Sequence, residues 1–209
     1  MVKLVSNRLN KSLSKVYSLS RKNKNETILI WIFLDCDRIS NYKKFINLVP
    51  DSKHIGIIFR SKKIEKEYYN ARELLKLCRK KKFTFLVSSS YIIAKSLGAD
   101  GVHYPGTFRN SRKDKKLLIT CSYHGYNDVK RINQLHSKMV FISPIFSTNS
   151  NINKKGRGII KISFLANYIK TQYSVLGGVR ENNIKLLRNR GINSISGLDF
   201  IFDIIKYKC

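Results

Sequence analysis

Eight short apolar runs alternate with longer amphipathic segments along most of this chain, and that alternation limits the folds it can adopt. The runs lie near residues 27–34, 54–59, 83–88, 101–104, 117–121, 139–143, 173–176 and 194–198. Runs of this length that are rich in Ile, Val and Phe are typical of strands buried in a parallel sheet. Strands that alternate strictly with helices predict an α/β fold, and eight such units close into a single (β/α)8 TIM barrel.

Two of the segments between the runs carry clear helix signals. The first predicted helix spans residues 64–80, and its apolar side chains fall on one face: Tyr68, Ala71, Leu74, Leu75 and Cys78. The second spans residues 181–190, since it begins with the acidic Glu181 and is followed by Gly191. We expect both helices to pack on the outside of the barrel.

Residues 1–25 contain seven basic residues and no acidic one. Their leucines and valines recur at helical spacing: Leu4, Val5, Leu9, Leu13, Val16 and Leu19. This pattern predicts an amphipathic helix that covers one end of the fold, with a helix lying on a membrane surface as the alternative. We therefore expect a basic N-terminal helical extension over residues 1–25 and a barrel over residues 26–209.

The chain carries 41 basic and 13 acidic residues, which gives a formal net charge of +28 in 209 residues. The basic residues are spread through every segment, as in proteins from genomes rich in A and T, rather than gathered in one patch. No nucleic-acid recognition motif accompanies them. We expect non-specific, salt-sensitive binding to RNA or DNA and no sequence-specific nucleic-acid function.

Four cysteines are widely spaced along the chain: Cys36, Cys78, Cys121 and Cys209. They form no paired metal-ligand motif, so we expect reduced thiols. The longest apolar stretch, residues 27–34, is far too short to cross a bilayer. Because the N-terminus also lacks the compact apolar region of a secretory signal, we expect a cytoplasmic protein.

Ligands of a (β/α)8 barrel bind where the strands end at their carboxyl termini, and this chain places polar residues or glycines there. In chain order they are Asp35, Asp37, Arg60, Lys62, Ser88, Ser89, His103, Ser122, His124, Thr148, Gly177, Gly178 and Asp199. The basic side chains and the glycine pair favour an anionic ligand, because backbone amides at a glycine turn can approach a phosphate group closely. A phosphorylated small molecule is the expected partner.

Four motifs along the chain, taken together, resemble the thiamine phosphate synthase and TenI family. They are Gly98–His103, Ser122–His124, Ser143–Thr148 followed by Lys154–Gly156, and Gly177–Val179 followed by Glu181–Ile184. The resemblance covers about residues 28–206. Members of this family are (β/α)8 barrels of thiamine biosynthesis.

The resemblance implies a reaction and roles for particular residues. Synthases of the family join hydroxymethylpyrimidine diphosphate to thiazole phosphate and release pyrophosphate, with magnesium held by carboxylates against the diphosphate. Arg60 and Lys62 match the basic pair that contacts the diphosphate. Three residues match the positions around the product phosphate: Thr148, Gly177 and Gly178. His103 and Ser122 are expected to line the site.

The chain departs from the family pattern where the chemistry takes place. The two magnesium carboxylates are replaced by Ser89 and Phe108, and a hydroxyl is a poor substitute for a charged oxygen ligand. Ile58 stands where the family has a glutamine, and Asp199 stands where a phosphate-binding serine is expected. Asn151 replaces a lysine, for which Lys154 or Lys155 can substitute in the same loop. The use of magnesium therefore stays open.

Three functions remain compatible with these residues. A divergent synthase would neutralise the diphosphate with its basic side chains instead of magnesium. A TenI-like thiazole tautomerase would use His124 of the Ser-x-His motif as acid and base. A non-catalytic barrel would bind a phosphorylated ligand or another partner without turnover.

Overall fold

The computed structural model describes residues 28–36, 38–39, 41–106, 112–148, 155–187, 192 and 194–205, together with Asn7, Asn10, Lys11 and Ser14. Its eight strands are β1 Ile30–Asp35, β2 Ile55–Arg60, β3 Thr84–Ser88, β4 Gly101–Tyr104, β5 Leu118–Tyr123, β6 Met139–Ile142, β7 Gln172–Leu176 and β8 Ser194–Ser196. Each strand pairs in parallel with the next, and β8 pairs with β1 to close the barrel. The predicted (β/α)8 barrel is confirmed.

Six α-helices are described outside the barrel: α1 Tyr42–Leu48, α2 Tyr68–Lys80, α3 Tyr91–Leu97, α4 Val129–Gln134, α5 Gly158–Ala166 and α6 Asp199–Ile205. The predicted helix over residues 64–80 divides into a 3₁₀ turn, Ile64–Glu67, and α2. Helix α2 buries Ala71, Leu74, Leu75 and Cys78 as its spacing predicts. Within the described residues, no helix has both the length and the apolar composition that crossing a membrane requires.

The predicted α-helix over residues 181–190 is wrong for the part that the structure describes. Residues 181–183 form a turn, and a 3₁₀ helix follows at Ile184–Leu187. The side chain of Asn183 accepts a hydrogen bond from the amide of Arg180 at 2.9 Å and donates one to the carbonyl of Gly178 at 2.8 Å. These local bonds hold a turn where an α-helix would begin.

The extension over residues 1–25 stays a prediction, since most of it lies outside the described residues. Its four described residues have helical backbone and are exposed. Cys209 also lies outside the described part. The other three cysteines are free thiols, and burial raises the pKa of Cys78 and Cys121, which makes them unreactive.

The barrel interior is filled by side chains, so a ligand can bind only at one of its ends. Its apolar cluster consists of Trp31, Phe33, Ile58, Leu86, Met139 and Phe141. The indole of Trp31 occupies the space beside Gly56, where any Cβ would overlap it. Phe33 and Phe141 meet edge to face with their ring centroids 5.0 Å apart. Close packing of this kind leaves the loops at the carboxyl ends of the strands as the site.

Candidate functional site

A cavity of about 930 Å³ opens at the carboxyl ends of the strands. Among the described residues, its wall comes from the segments that follow β1, β2, β5, β6, β7 and β8. Six of the eight predicted site residues lie together on this wall: Arg60, Lys62, His124, Thr148, Gly177 and Gly178. Phe33, on the inward face of β1, also lines the cavity and forms its floor.

His103 and Ser122 lie beneath the cavity, which differs from the expectation that they line it. The imidazole of His103 is 2% exposed and meets the rings of Phe33 and Phe141 edge on, with centroids 5.4 Å and 5.2 Å away. Alternation along β4 points the side chain of His103 into the barrel, where the aromatic floor covers it. The residue is therefore part of the barrel core.

A buried hydrogen-bond network holds the His103 ring. Its Nδ1 lies 2.9 Å from Oγ1 of Thr120, and its Nε2 lies 3.3 Å from Oγ of Ser122. Burial, together with the positive charges of Arg60 and Arg131, lowers the pKa of His103 to about 3. The ring is therefore neutral near pH 7, with one nitrogen donating and the other accepting. Such a group orients its hydroxyl partners.

His124 occupies a different environment at the end of β5. It is exposed and lines the cavity, and its backbone amide donates to Oδ2 of Asp128 at 2.7 Å. The imidazole lies directly against Gly106, where any Cβ would overlap it. The glycine after β4 thus leaves room for the ring. An imidazole in this position can reach both a ligand and water, as acid–base chemistry requires.

The glycine pair after β7 packs its backbone against the loop after β6. Gly177 has a φ of 96° and Gly178 a φ of 67°, which side chains rarely adopt. A Cβ on Gly178 would overlap the carbonyl oxygen of Ser147, and the amide of Phe146 donates to the carbonyl of Gly177 at 3.0 Å. This close approach brings Thr148 beside the glycine turn. A hydroxyl next to a glycine turn on the cavity wall is an arrangement that suits a phosphate group.

Among the described residues, two carboxylates lie on the cavity wall, and each is paired with an arginine. Nη2 of Arg60 lies 2.6 Å from Oδ2 of Asp35, and Nη2 of Arg38 lies 2.7 Å from Oδ1 of Asp199. Each carboxylate therefore already has a cationic partner in the wall.

The described residues do not fit a magnesium ion of the family type. They contain no group of three His, Cys, Asp or Glu side chains that could hold a metal. At the end of β3, the hydroxyls of Ser88 and Ser89 lie 3.3 Å from each other, and Ser89 stands where the family resemblance places a magnesium carboxylate. A hard cation needs charged oxygen ligands, and this part of the site offers neutral hydroxyls. Asp37 and Phe108 lie outside the described residues.

The structure adds cationic wall residues that the sequence did not single out: Arg38, Arg157 and Lys161. Lys155, a predicted substitute for the missing lysine, lines the cavity with them. In a chain with 41 basic residues, charge alone could not identify them. Their positions in the chain could have identified them, because Arg38 follows β1 and the others follow β6.

The sequence of this chain matches a known protein family over most of the residues that form the cavity. A family described as thiamine monophosphate synthase matches residues 36–201, which is most of the chain. The chain belongs to the thiamine monophosphate synthase family. The match includes every cavity-lining residue named above except Phe33 and Asp35, which precede it.

Curated relatives of this family member are similar at low identity. The thiamine-phosphate synthase of Prochlorococcus marinus (strain AS9601) is 26% identical over 188 residues, covering 86% of this chain and 54% of the relative. The chain thus spans about half the length of that protein. The thiamine-phosphate synthase of Fusobacterium nucleatum is 24% identical over 176 residues, covering 78% of this chain and 85% of the relative.

Two solved structures have a similar barrel. A thiamine phosphate pyrophosphorylase from Pyrococcus furiosus superposes with a TM-score of 0.65 at 13% identity, over 86% of this chain and 94% of that one. A 2-keto-3-deoxy-6-phosphogluconate aldolase from Zymomonas mobilis superposes with a TM-score of 0.56 at 13% identity, over 94% and 92%. At such identities the likeness shows the fold alone.

Proposed function

We propose that this family member joins hydroxymethylpyrimidine diphosphate to thiazole phosphate and releases pyrophosphate. The observation that carries the proposal is the charge of the cavity wall, where six described cationic side chains face two carboxylates. In the reaction, the lone pair of the thiazole nitrogen forms a bond to the pyrimidine methylene carbon. The bond from that carbon to the diphosphate oxygen breaks, and its electron pair leaves with pyrophosphate. Cationic side chains stabilise the charge that builds on this leaving group.

The residues divide between the two substrates. Arg60 is the last residue of β2 and Lys62 follows it, and these two side chains hold the diphosphate. Thr148 and the amides of Gly177 and Gly178 hold the thiazole phosphate. Because the described residues do not fit magnesium, the proposed reaction depends on side-chain charge, and it proceeds when divalent metals are chelated.

Thiazole tautomerisation is the second candidate, and the position of His124 favours it. That imidazole lines the cavity and is held against Gly106, so it can deliver and remove a proton at a bound thiazole phosphate. This reaction moves one proton within the ligand and has no diphosphate to neutralise. It therefore depends on His124 and tolerates the loss of Arg60.

The deciding experiment incubates the purified full chain with both precursors, with Mg²⁺ or with EDTA, and measures thiamine phosphate by mass spectrometry. We expect product in both conditions, and a loss of kcat/KM of about 100-fold in Arg60→Ala, as for removal of one charge-stabilising donor. Lys138→Ala, at the amino-terminal end of β6, is the matched control and keeps wild-type turnover. Absence of product in both conditions overturns the proposal.

The same samples separate the remaining functions. Loss of tautomerase turnover in His124→Ala with retention in Arg60→Ala identifies the tautomerase. A rise in Tm with either phosphorylated precursor, without any turnover, identifies a barrel that only binds, since a ligand that binds the folded state stabilises it by mass action.

A further inference from the structure

Three cationic side chains lie on the segment between β6 and α5 and at the start of α5, and the proposed roles leave them unassigned. They are Lys155, Arg157 and Lys161, and all three line the cavity. In a closed barrel of eight strands in chain order, β6 lies four strands from β2 in either direction. These three cations, named here the β6–α5 cations, therefore face Arg60 and Lys62 across the barrel mouth.

The β6–α5 cations differ from the arginines of the opposite wall in their charge partners. Arg38 and Arg60 are each paired with a carboxylate of the wall. Within the part of the chain that the structure describes, none of the β6–α5 cations lies within ion-pairing distance of a carboxylate. This side of the cavity carries positive charge that the carboxylates of the wall do not neutralise.

Arg157 is held in place by contacts on both of its ends. Its backbone amide donates to the carbonyl of Pro144 at 2.9 Å, and its Nη1 donates to the carbonyl of His124 at 3.0 Å. Gly156 lets this segment turn back over the β6 loop, since a Cβ there would lie 2.5 Å from the backbone of Phe146. The half-buried guanidinium is therefore already oriented toward the cavity before any ligand binds.

The guanidinium of Arg157 also has N–H donors that make no hydrogen bond to the described residues. A guanidinium carries five N–H donors, and the bond to His124 is the one that it makes to described residues. Its planar fork matches two oxygens of a phosphate group, and an ordered fork loses little conformational freedom when it binds. The flexible chains of Lys155 and Lys161 add two further charges beside it.

We propose that Arg157, supported by Lys155 and Lys161, binds the diphosphate of the substrate and the released pyrophosphate without a metal ion. This inference rests on the proposed function, because pyrophosphate is its leaving group. The β6–α5 cations compensate the charge that magnesium would compensate in a site with the family carboxylates. The diphosphate then lies between two cationic walls, with Arg60 and Lys62 on one side and the β6–α5 cations on the other.

The test titrates inorganic pyrophosphate into the full chain in EDTA by isothermal titration calorimetry. We expect measurable binding, and Arg157→Ala weakens it by about tenfold or more, since hydrogen bonds to charged groups contribute about 1.5–3 kcal/mol. Arg157→Lys recovers part of the affinity, because it keeps the charge and loses the fork. Lys53→Ala and Lys138→Ala change similar exposed lysines at the amino-terminal end of the barrel and keep wild-type affinity.

Two results overturn the inference: binding that requires added Mg²⁺, or wild-type affinity in folded Arg157→Ala. If Arg157→Ala fails to fold by circular dichroism, Lys161→Ala is titrated in its place, and its affinity must fall for the inference to stand. The outcome is separable from that of the proposed function. Arg157-dependent pyrophosphate binding without product refutes the reaction and keeps the anion site, whereas product with unchanged binding in Arg157→Ala refutes the anion site alone.

Discussion

Arg60 and Asp35 are paired in the β1–β2 register, and Nη2 of the arginine lies 2.6 Å from Oδ2 of the aspartate. The guanidinium that the family resemblance assigns to a diphosphate is thus already engaged by a carboxylate. Both side chains line the cavity, so an incoming anion competes with Asp35 for Arg60 and also meets its negative charge. This pair sets a limit on how tightly the β2 wall can bind an anion.

Replacing Asp35→Asn should strengthen pyrophosphate binding. The change removes one negative charge from the wall and leaves Arg60 without its charged partner. We therefore expect the affinity for pyrophosphate to rise about threefold, which corresponds to the free energy of an exposed ion pair. Calorimetry with inorganic pyrophosphate in EDTA measures the effect. Asp51→Asn is the control, because Asp51 pairs with Lys81 beyond the cavity, before β2 begins. Equal or weaker binding in Asp35→Asn would contradict competition between the carboxylate and the anion.

The glycine turn after β7 gives a prediction about stability. In Gly178→Ala, the new Cβ overlaps the carbonyl of Ser147 while the backbone holds a φ of 67°. We expect the free energy of unfolding to fall by about 1–3 kcal/mol, the cost of backbone strain at such positions. Urea denaturation measures it.

Gly125→Ala provides the matched control for that experiment. Gly125 has extended backbone with a φ of 162°, and nothing lies within 4 Å of an added Cβ. Its unfolding free energy should change by no more than about 0.5 kcal/mol. If both variants lose equal stability, the close approach of the β6 and β7 loops does not constrain position 178.

Buried His103 predicts how stability changes with pH. The folded pKa is about 3 and lies below the ordinary value of 6.5, so the folded state resists protonation while the unfolded state accepts it. The contribution of the neutral His103 ring to the free energy of unfolding is complete above pH 6.5. It is lost as the pH falls toward 3, by up to about 1.4 kcal/mol per pH unit. Urea denaturation of wild type and His103→Gln across this window measures it.

The difference between wild type and His103→Gln reports the effect of His103, because all other titratable groups are present in both proteins. We expect the wild-type free energy of unfolding to decline more steeply on acidification than that of His103→Gln, and the difference to level off above about pH 7. Parallel curves for wild type and His103→Gln would show that the imidazole is not buried as a neutral group.

The strands were predictable because their signal is local and strong. Buried runs of β-branched and aromatic residues locate every strand to within about three residues, and the order of eight units determines the closed barrel. The helix over residues 181–190 was not predictable from its acidic start, since the hydrogen bonds of Asn183 close a turn instead. An asparagine side chain that bonds to the nearby backbone competes with helix formation, and the spacing of apolar residues does not reveal such bonds.

The site was most predictable where residues end a strand or directly follow one. Arg60, His124 and the glycine pair have positions set by the ends of β2, β5 and β7, so the barrel places them on the cavity wall. Arg157 comes many residues after β6, and its place depends on the path of the loop that returns it to Pro144. His103 illustrates the opposite error, because a residue near a strand end can still be covered by an aromatic side chain.

Asp199 gives the last prediction, since it stands where the family resemblance places a phosphate-binding serine. Its carboxylate lies on the cavity wall at the start of α6, paired with Arg38. Asp199→Ser removes a negative charge from the cavity wall that the glycine turn shares. Arg38 is then left to meet an anion, so thiazole phosphate should bind about three to ten times more tightly. Calorimetry measures this affinity, with Asp51→Ser as a control whose affinity stays at the wild-type value. Weaker binding of thiazole phosphate in Asp199→Ser would contradict this prediction. It would show that Arg38 binds the phosphate better when Asp199 holds its side chain in position.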